Sequence, residues 1–242
     1  MAYLVPHPPR QPVFRAPAVV ILLIGFLVAA HVARTLLPPD LSLAWLSRFA
    51  FLPARFSPGF VSPEGHGLLA LATPFVSYMA LHNDYTHLLI NCLWLLAFGP
   101  IVARRFGAML FLLFFLICGV AAAATHLAFN WGSLEPVIGA SGAISGLMAA
   151  GMRLLPTQRP PRGDENEPAD APMLPFWSRQ ILLFSLVWVG LNVVVAIAPG
   201  AAFGLGDGGL IAWQAHLGGY FAGLLLSGPF DALRPHPPSL QL

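Results

Sequence analysis

Apolar residues gather into six long runs along this chain, separated by segments rich in proline, glycine and charge. The runs cover residues 18–37, 86–103, 107–128, 137–155, 180–198 and 209–228. Each has roughly the 20 residues that a helix needs to cross a bilayer, with the fourth a little short. The pattern therefore predicts an all-α membrane protein with six transmembrane helices. An even number of spans places both chain ends on the same side.

Composition supports a membrane protein. The chain is 57% hydrophobic and 9% charged, whereas an ordinary soluble domain carries about 25% charged residues. A soluble core of this size could not hide so much apolar surface. The net charge of +2 is small and says little about nucleic acid. For a chain this apolar we expect the lipid bilayer, and no nucleic acid, as a partner. Cys92 and Cys118 lie in apolar runs without disulfide or metal spacing, and we expect them to be packing residues.

The runs also suggest how the chain divides. We expect a Pro-rich cytoplasmic tail over 1–17, a membrane domain over 18–228 and a second cytoplasmic tail over 229–242. The first run has an alternative interpretation as a signal peptide, because its alanines near residue 30 resemble a cleavage region. Its continuation to Leu37 favours a retained helix.

The arginines indicate the orientation. All twelve basic residues are arginines, and nine of them lie in the tails or the even-numbered loops. Only Arg34, Arg48 and Arg55 lie on the other side. Since cytoplasmic loops carry the positive excess, both termini are predicted to be cytoplasmic. The aromatic-rich connection 38–85 is then external, interfacial and partly helical, and the segment 156–178 is a cytoplasmic loop.

Candidate chemistry lies at the outer ends of the even-numbered spans. Ser141 stands among small residues at the start of span 4, and His216 opens span 6. Serine with histidine is the minimum set for an activated hydroxyl nucleophile. Polar side chains inside a membrane are rare and usually functional.

Plain helix packing is the alternative interpretation of this region. Gly142 and Gly146 form a small-residue face on span 4, and Gly219 and Gly223 form one on span 6. If these faces pack together, they also bring His216 toward the start of span 4. Packing alone does not explain why a costly imidazole lies in that groove.

Span 2 offers hydrogen-bond donors at the same depth. His87 and Asn91 lie four residues apart on one helix face. Both can donate to an oxyanion, as can the free backbone N–H of Ser141 near a helix start. An interhelical hydrogen bond is an equally good interpretation of His87 and Asn91 from their spacing alone. His82 and His87 lack the spacing of a zinc protease, so no metal is expected.

Three motifs together resemble the rhomboid family of intramembrane serine proteases, of the compact six-helix bacterial type. They read His82-x4-His87-x3-Asn91, Gly139-x-Ser141-Gly142 and Ala215-His216-x2-Gly219-x3-Gly223, and they stand in the family's order on spans 2, 4 and 6. The resemblance covers about residues 18–228. It implies a rhomboid-like bundle in a bacterial inner membrane, with transmembrane protein segments as substrates and no cofactor.

The resemblance also implies roles for individual residues. Ser141 would be the nucleophile and His216 the general base of a dyad. His87 and Asn91, with the backbone N–H of Ser141, would form the oxyanion hole. Further residues would support the site, namely His82, Gly139, Gly142 and Gly219.

The chain departs from the family pattern in two places. The family often has an aromatic residue four positions after the nucleophile, stacked on the histidine, where this chain has Ser145, so the base is expected to be held differently. The Trp-Arg pair of the first loop is missing, and Ser47-Arg48 and Ala54-Arg55 are imperfect stand-ins. Asp84 and Asp207 are interpreted as loop and turn residues.

Two other functions stay open from the sequence. A non-catalytic rhomboid-like protein would bind membrane helices without cleaving them, but such relatives lose the serine or the histidine. A small transporter would need intramembrane charges or broken helices in paired halves, and spans 2–6 have no acidic residue at their centres. Span 5 carries none of the proposed catalytic groups, so we expect it to be the mobile wall that admits a substrate.

Overall fold

The computed structural model describes residues 16–61, 65, 67–155, 172–197 and 212–234. Nine α-helices form within these residues: α1 (Ala18–Thr35), α2 (Pro39–Phe49), α3 (Leu68–Ala72), α4 (Pro74–Ser77), α5 (Tyr85–Phe106), α6 (Ala108–Phe129), α7 (Ser141–Leu154), α8 (Arg179–Ile197) and α9 (Trp213–Ala232). The described part of the chain contains no β-strand, apart from an isolated antiparallel bridge between Phe51 and Val137. The predicted all-α class is therefore confirmed.

The six predicted spans correspond to α1, α5, α6, α7, α8 and α9. Four of these helices, α1, α5, α6 and α8, are long and apolar enough to cross a membrane. Span 4 differs at its start, where α7 begins at Ser141 and not at residue 137. Gly139 has a φ of +114°, outside the helical region, and Val137 pairs with Phe51. Span 6 is displaced toward the C-terminus, because α9 continues through Pro229 to Ala232.

The central helix of the bundle is α7. Twelve of its 14 residues are buried, and it packs against α5, α6 and α9. A helix of this size is about 21 Å long, shorter than the hydrocarbon core of about 30 Å. One end of α7 therefore lies within the membrane if the other end reaches its surface.

The small-residue faces of α7 and α9 contact each other directly, as their pattern predicts. A Cβ atom on Gly219 would overlap the carbonyl oxygen of Gly142, and one on Gly223 would overlap that of Gly146. Small residues let two backbones approach closely in a membrane, where dispersion contacts replace the hydrophobic effect between helices. This contact brings the N-terminal ends of α7 and α9 together.

The connection before α5 is partly helical, as predicted, and is anchored to the bundle. The Tyr78 hydroxyl donates to the Gly119 carbonyl at 2.8 Å, and the Tyr78 carbonyl accepts from the Gly139 N–H at 3.0 Å. The Arg55 guanidinium donates to the carbonyls of Ser47 and Arg48. The connection therefore supports the turn that precedes α7.

Arginines cluster at the opposite end of the bundle. Arg105 near the end of α5 makes a bidentate pair with Asp231 of α9, at 2.6 and 2.9 Å. Arg153 near the end of α7 donates to Ser227 at 2.7 Å and to the Leu224 carbonyl at 2.9 Å. The C-terminal ends of α5, α7 and α9 are therefore level with one another and far from Ser141.

Other expectations fare unequally. Cys118 is buried in the core and Cys92 is half-buried, and both are free thiols, as expected of packing residues. Several predicted segments lie outside the described residues, namely the first tail up to residue 15, residues 156–171 of the loop predicted over 156–178, Asp207, and the tail from residue 235.

The α7–α9 contact predicts a sharp difference between two glycine substitutions. Gly219→Ala should lower the free energy of unfolding by about 1–3 kcal/mol, because its methyl group has only backbone to displace. The measurement is thermal unfolding of the purified protein in detergent. Gly190→Ala on α8 is the control, because a Cβ there meets nothing within 4 Å. Equal midpoints for the two variants would contradict the close approach of α7 and α9.

Candidate active site

Ser141 and His216 meet where α7 and α9 begin. Nε2 of His216 lies 2.9 Å from Oγ of Ser141, a hydrogen-bond distance. Both residues are half-buried. Ser141 is the first residue of α7, where backbone N–H groups have no intrahelical partner. A hydroxyl, an imidazole and a backbone N–H without an intrahelical partner therefore lie at one point.

A third side chain that the sequence analysis missed completes this arrangement. Oδ1 of Asn192 on α8 lies 3.0 Å from Nδ1 of His216. The Nδ2 of Asn192 donates to the carbonyl of Trp188 at 2.9 Å, which leaves its oxygen facing the imidazole. Since Oδ1 only accepts, His216 carries its proton on Nδ1, and Nε2 is free to accept from the Ser141 hydroxyl.

Span 5 carries none of the predicted catalytic groups, but its helix α8 contacts the His216 side chain. Besides Asn192, α8 places the Trp188 ring 6.3 Å from the His216 ring, with the two planes 39° apart. Ser145, where the family often has an aromatic residue, instead donates its hydroxyl to the Ser141 carbonyl at 2.8 Å. The aromatic ring next to His216 therefore comes from α8 in this chain.

The sequence did contain a signal for Asn192. Asn192 is an amide well inside a mostly apolar run, and polar residues inside a membrane are costly and usually functional.

His87 reaches the same point from α5. The N–H of Asn83 donates to its Nδ1 at 3.4 Å, so the ring proton is on Nε2. A Cβ on Gly139 would lie 2.7 Å from this Nε2 and 3.8 Å from Oγ of Ser141. His87 therefore directs an N–H toward Gly139, which lies between His87 and the Ser141 hydroxyl. Asp84 accepts from the His87 backbone N–H at 2.8 Å and caps α5, in keeping with its interpretation as a loop residue.

Asn91 lies deeper than His87 and is nearly inaccessible. Its Nδ2 donates to the His87 carbonyl at 2.8 Å, within its own helix. The second N–H of this amide is left to donate elsewhere. In the described residues no hydrogen bond joins the Asn91 side chain to Ser141 or His216.

His82 lies behind His87 and not on the dyad. The two rings are 5.1 Å apart between centroids, and the His82 carbonyl accepts from Arg34 at 2.8 Å. Burial, with the nearby His87, lowers the pKa of His82 to about 3, so the ring is neutral at physiological pH. Among the described residues no group of three or more His, Cys, Asp or Glu side chains is placed to hold a metal.

The predicted glycines of the site hold backbone close to functional groups. Gly142 and Gly219 form the α7–α9 contact, and Gly139 stands between His87 and Ser141.

A search among curated protein sequences finds no match to this chain. The family model described as the Rhomboid domain matches residues 71–230, well over half of the chain. The chain therefore belongs to the rhomboid family, whose members are usually intramembrane serine proteases, and its fold is an all-α, rhomboid-like membrane bundle.

The position of Gly139 generates a test of the site geometry. Gly139→Ala should reduce turnover of a transmembrane substrate roughly a hundredfold, as expected for a displacement of about 1 Å at the reacting groups. The cause is the methyl group, which would push the His87 ring away from Ser141. The measurement is turnover per folded protein in detergent.

Gly107→Ala is the matched control for that variant. Gly107 also has a positive φ, +79°, but a Cβ there meets nothing within 4 Å. It should carry the backbone strain of about 1–3 kcal/mol without a loss of turnover. A parallel loss in both variants would mean that strain, and not the His87 contact, explains the effect.

Proposed function

We propose that this protein is an intramembrane serine endopeptidase that cleaves transmembrane segments of other membrane proteins. Ser141 is the nucleophile and His216 the general base. The observation that carries the proposal is the 2.9 Å contact between His216 Nε2 and Ser141 Oγ in a member of the rhomboid family. No cofactor is needed for this chemistry.

The proposed reaction is acyl transfer in two steps. Nε2 of His216 takes the hydroxyl proton while Oγ of Ser141 attacks the scissile carbonyl, giving a tetrahedral oxyanion. The intermediate collapses to an acyl-serine ester as the imidazolium returns the proton to the leaving amine. Water, deprotonated by the same base, then attacks the ester and releases the second product with the serine regenerated.

The oxyanion has donors within reach of the nucleophile. We assign Nε2–H of His87 and the backbone N–H of Ser141 to this role, supported by the position of the His87 ring across Gly139. The second N–H of the Asn91 amide, which its bond to the His87 carbonyl leaves unused, is the third candidate.

The substrate must expose a peptide bond that a helix normally protects. Every amide of a transmembrane helix is hydrogen-bonded internally, so the segment has to unwind locally, which favours Gly, Ala or Ser near the cleaved bond. Water must also enter. The half-buried state of Ser141, His87 and His216 supports access from one end of the bundle.

The orientation in the membrane is part of the proposal. We place the arginine-bearing ends of α5, α7 and α9 at the cytoplasmic face of a bacterial inner membrane, and the dyad toward the outside. Both tails, 1–17 and the residues after α9, are then cytoplasmic. The short α7, about 21 Å long, leaves Ser141 below the outer surface of the bilayer.

The first test of this proposal concerns the dyad. Ser141→Ala and His216→Ala should each abolish cleavage of a transmembrane substrate, and the double variant should be no worse than either, because the two act as one unit. The measurement is gel-based cleavage in detergent or liposomes, with labelling of Ser141 by a serine-directed phosphonate as a second readout.

The control for that test separates catalysis from binding. Ser141→Ala should still bind the substrate that the wild type cleaves. Substantial cleavage by a well-folded Ser141→Ala variant would remove the serine-protease assignment. Substrate binding without cleavage or labelling by the wild type would instead establish a non-catalytic rhomboid-like protein.

Asn91 supplies a second test, of the oxyanion hole. Asn91→Ala should reduce turnover on the order of ten- to a thousandfold, as expected when one oxyanion donor is lost. Labelling of Ser141 should survive at least in part, because the nucleophile and base remain. Unchanged turnover with a lower unfolding midpoint would make the bond from Asn91 to the His87 carbonyl purely structural.

A further inference from the structure

We propose that Asn192 is a positioning residue for the base, and that its place on α8 makes a productive His216 depend on where α8 stands. The inference rests on the proposed function, since it assigns Asn192 a part in orienting the general base. The contact that carries it is the 3.0 Å approach of Asn192 Oδ1 to His216 Nδ1.

Asn192 is held in a way that suits this role. It is 3% exposed, and α8 has only one other buried residue, Ile181. Its Nδ2 donates to the Trp188 carbonyl, which turns Oδ1 toward α9. A neutral acceptor at Nδ1 holds the imidazole with Nε2 facing the serine, as asparagine does for the histidine of papain-like cysteine proteases.

The rest of α8 is loosely attached to the bundle. Its contacts with α9 run along a single stripe at helical spacing, formed by Ile181, Phe184, Ser185, Trp188 and Asn192. Within this stripe the Ser185 hydroxyl lies 2.7 Å from the Tyr220 hydroxyl. Most of the other residues of α8 face outward. The helix is therefore the element of the bundle that can move at least cost.

These two features link substrate entry to chemistry. When α8 separates from α9 to admit a helix, Asn192 leaves Nδ1 of His216, and the ring loses both its orienting acceptor and the flanking Trp188 ring. The base is fully oriented again only when α8 returns over the bound segment. Such closure steps complete many catalytic sites. Here the moving helix itself carries the completing group.

A purely structural role is the competing explanation. Interhelical hydrogen bonds in membranes contribute about 0.6–2 kcal/mol, so Asn192 would then only fasten α8 to α9. The chain offers a matched control for this, because Ser185 also bonds α9, at Tyr220, without touching His216. Ser185→Ala removes a fastening bond and leaves the orientation of the base alone.

The experiment compares Asn192→Leu, Asn192→Asp and Ser185→Ala in the full chain. Asn192→Leu keeps the volume and suits an apolar helix, but it removes the acceptor. It should lower kcat roughly ten- to a hundredfold, a part of the 10²–10⁴-fold that a positioned base contributes, with KM little changed. The rate of phosphonate labelling at Ser141 should fall in parallel. Ser185→Ala should leave the labelling rate within about twofold of the wild type, because the base keeps its acceptor.

Asn192→Asp supplies the readout that a fastening role would not move. It restores an acceptor and adds negative charge beside Nδ1, which favours the protonated imidazole. The acidic limb of the pH–rate profile should then move to higher pH, with kcat at the plateau recovered. His87 also faces His216 and is the same in all three variants.

The outcomes separate the inference from the proposed function. One outcome is that the wild type labels and cleaves while Asn192→Leu labels at the wild-type rate. It would overturn the positioning role and leave the protease assignment intact. Equal slowing in Ser185→Ala would also overturn it, in favour of fastening. A wild type that neither cleaves nor labels would remove the proposed function and this inference with it.

Discussion

The backbone contact between α7 and α9 is the constraint on which the rest of the structure depends. Gly219 lies against the Gly142 carbonyl and Gly223 against the Gly146 carbonyl, so the two helices approach as closely as backbones can. In a bilayer there is little hydrophobic drive to join helices, and close dispersion contact has to supply the association. The same contact fixes the separation of Ser141 and His216, which lie one residue and three residues before Gly142 and Gly219. Stability and site geometry therefore have one source.

Around this contact, the polar groups lie in two sets, one at each end of the bundle. At one end Arg153 and Arg105 satisfy hydroxyl, carbonyl and carboxylate groups of α9. At the other end Ser141, His87 and His216 remain half-buried. An imidazole in a nonpolar groove is costly unless its nitrogens have partners, and those of His216 have Ser141 on one side and Asn192 on the other.

Much of the fold was predictable because its determinants are local. Apolar run lengths located α1, α5, α6 and α8 within a few residues, and small residues at four-residue spacing located the α7–α9 contact. The start of α7 was not predictable from hydropathy, since residues 137–140 are apolar and small but are held out of the helix by the Phe51 bridge. That bridge joins residues far apart in the chain, and no local pattern encodes it.

The residues of the site also differ in whether the local sequence predicts them. Ser141, His216 and His87 belong to motifs whose spacing can be read from the chain, whereas Asn192 becomes meaningful only when α8 is set against α9. The family's aromatic residue is absent at Ser145, which predicted that His216 is held differently. The ring that lies near His216 is that of Trp188 on another helix, and no spacing in the sequence could reveal it. A histidine supported by a residue of α7, the helix that carries Ser141, would stay oriented whatever α8 does. Because this chain supports His216 from the most loosely packed helix, the function and gating that we propose put access to the groove and orientation of the base in opposition. In that proposal, the position of α8 that leaves room for a substrate is the one that releases His216.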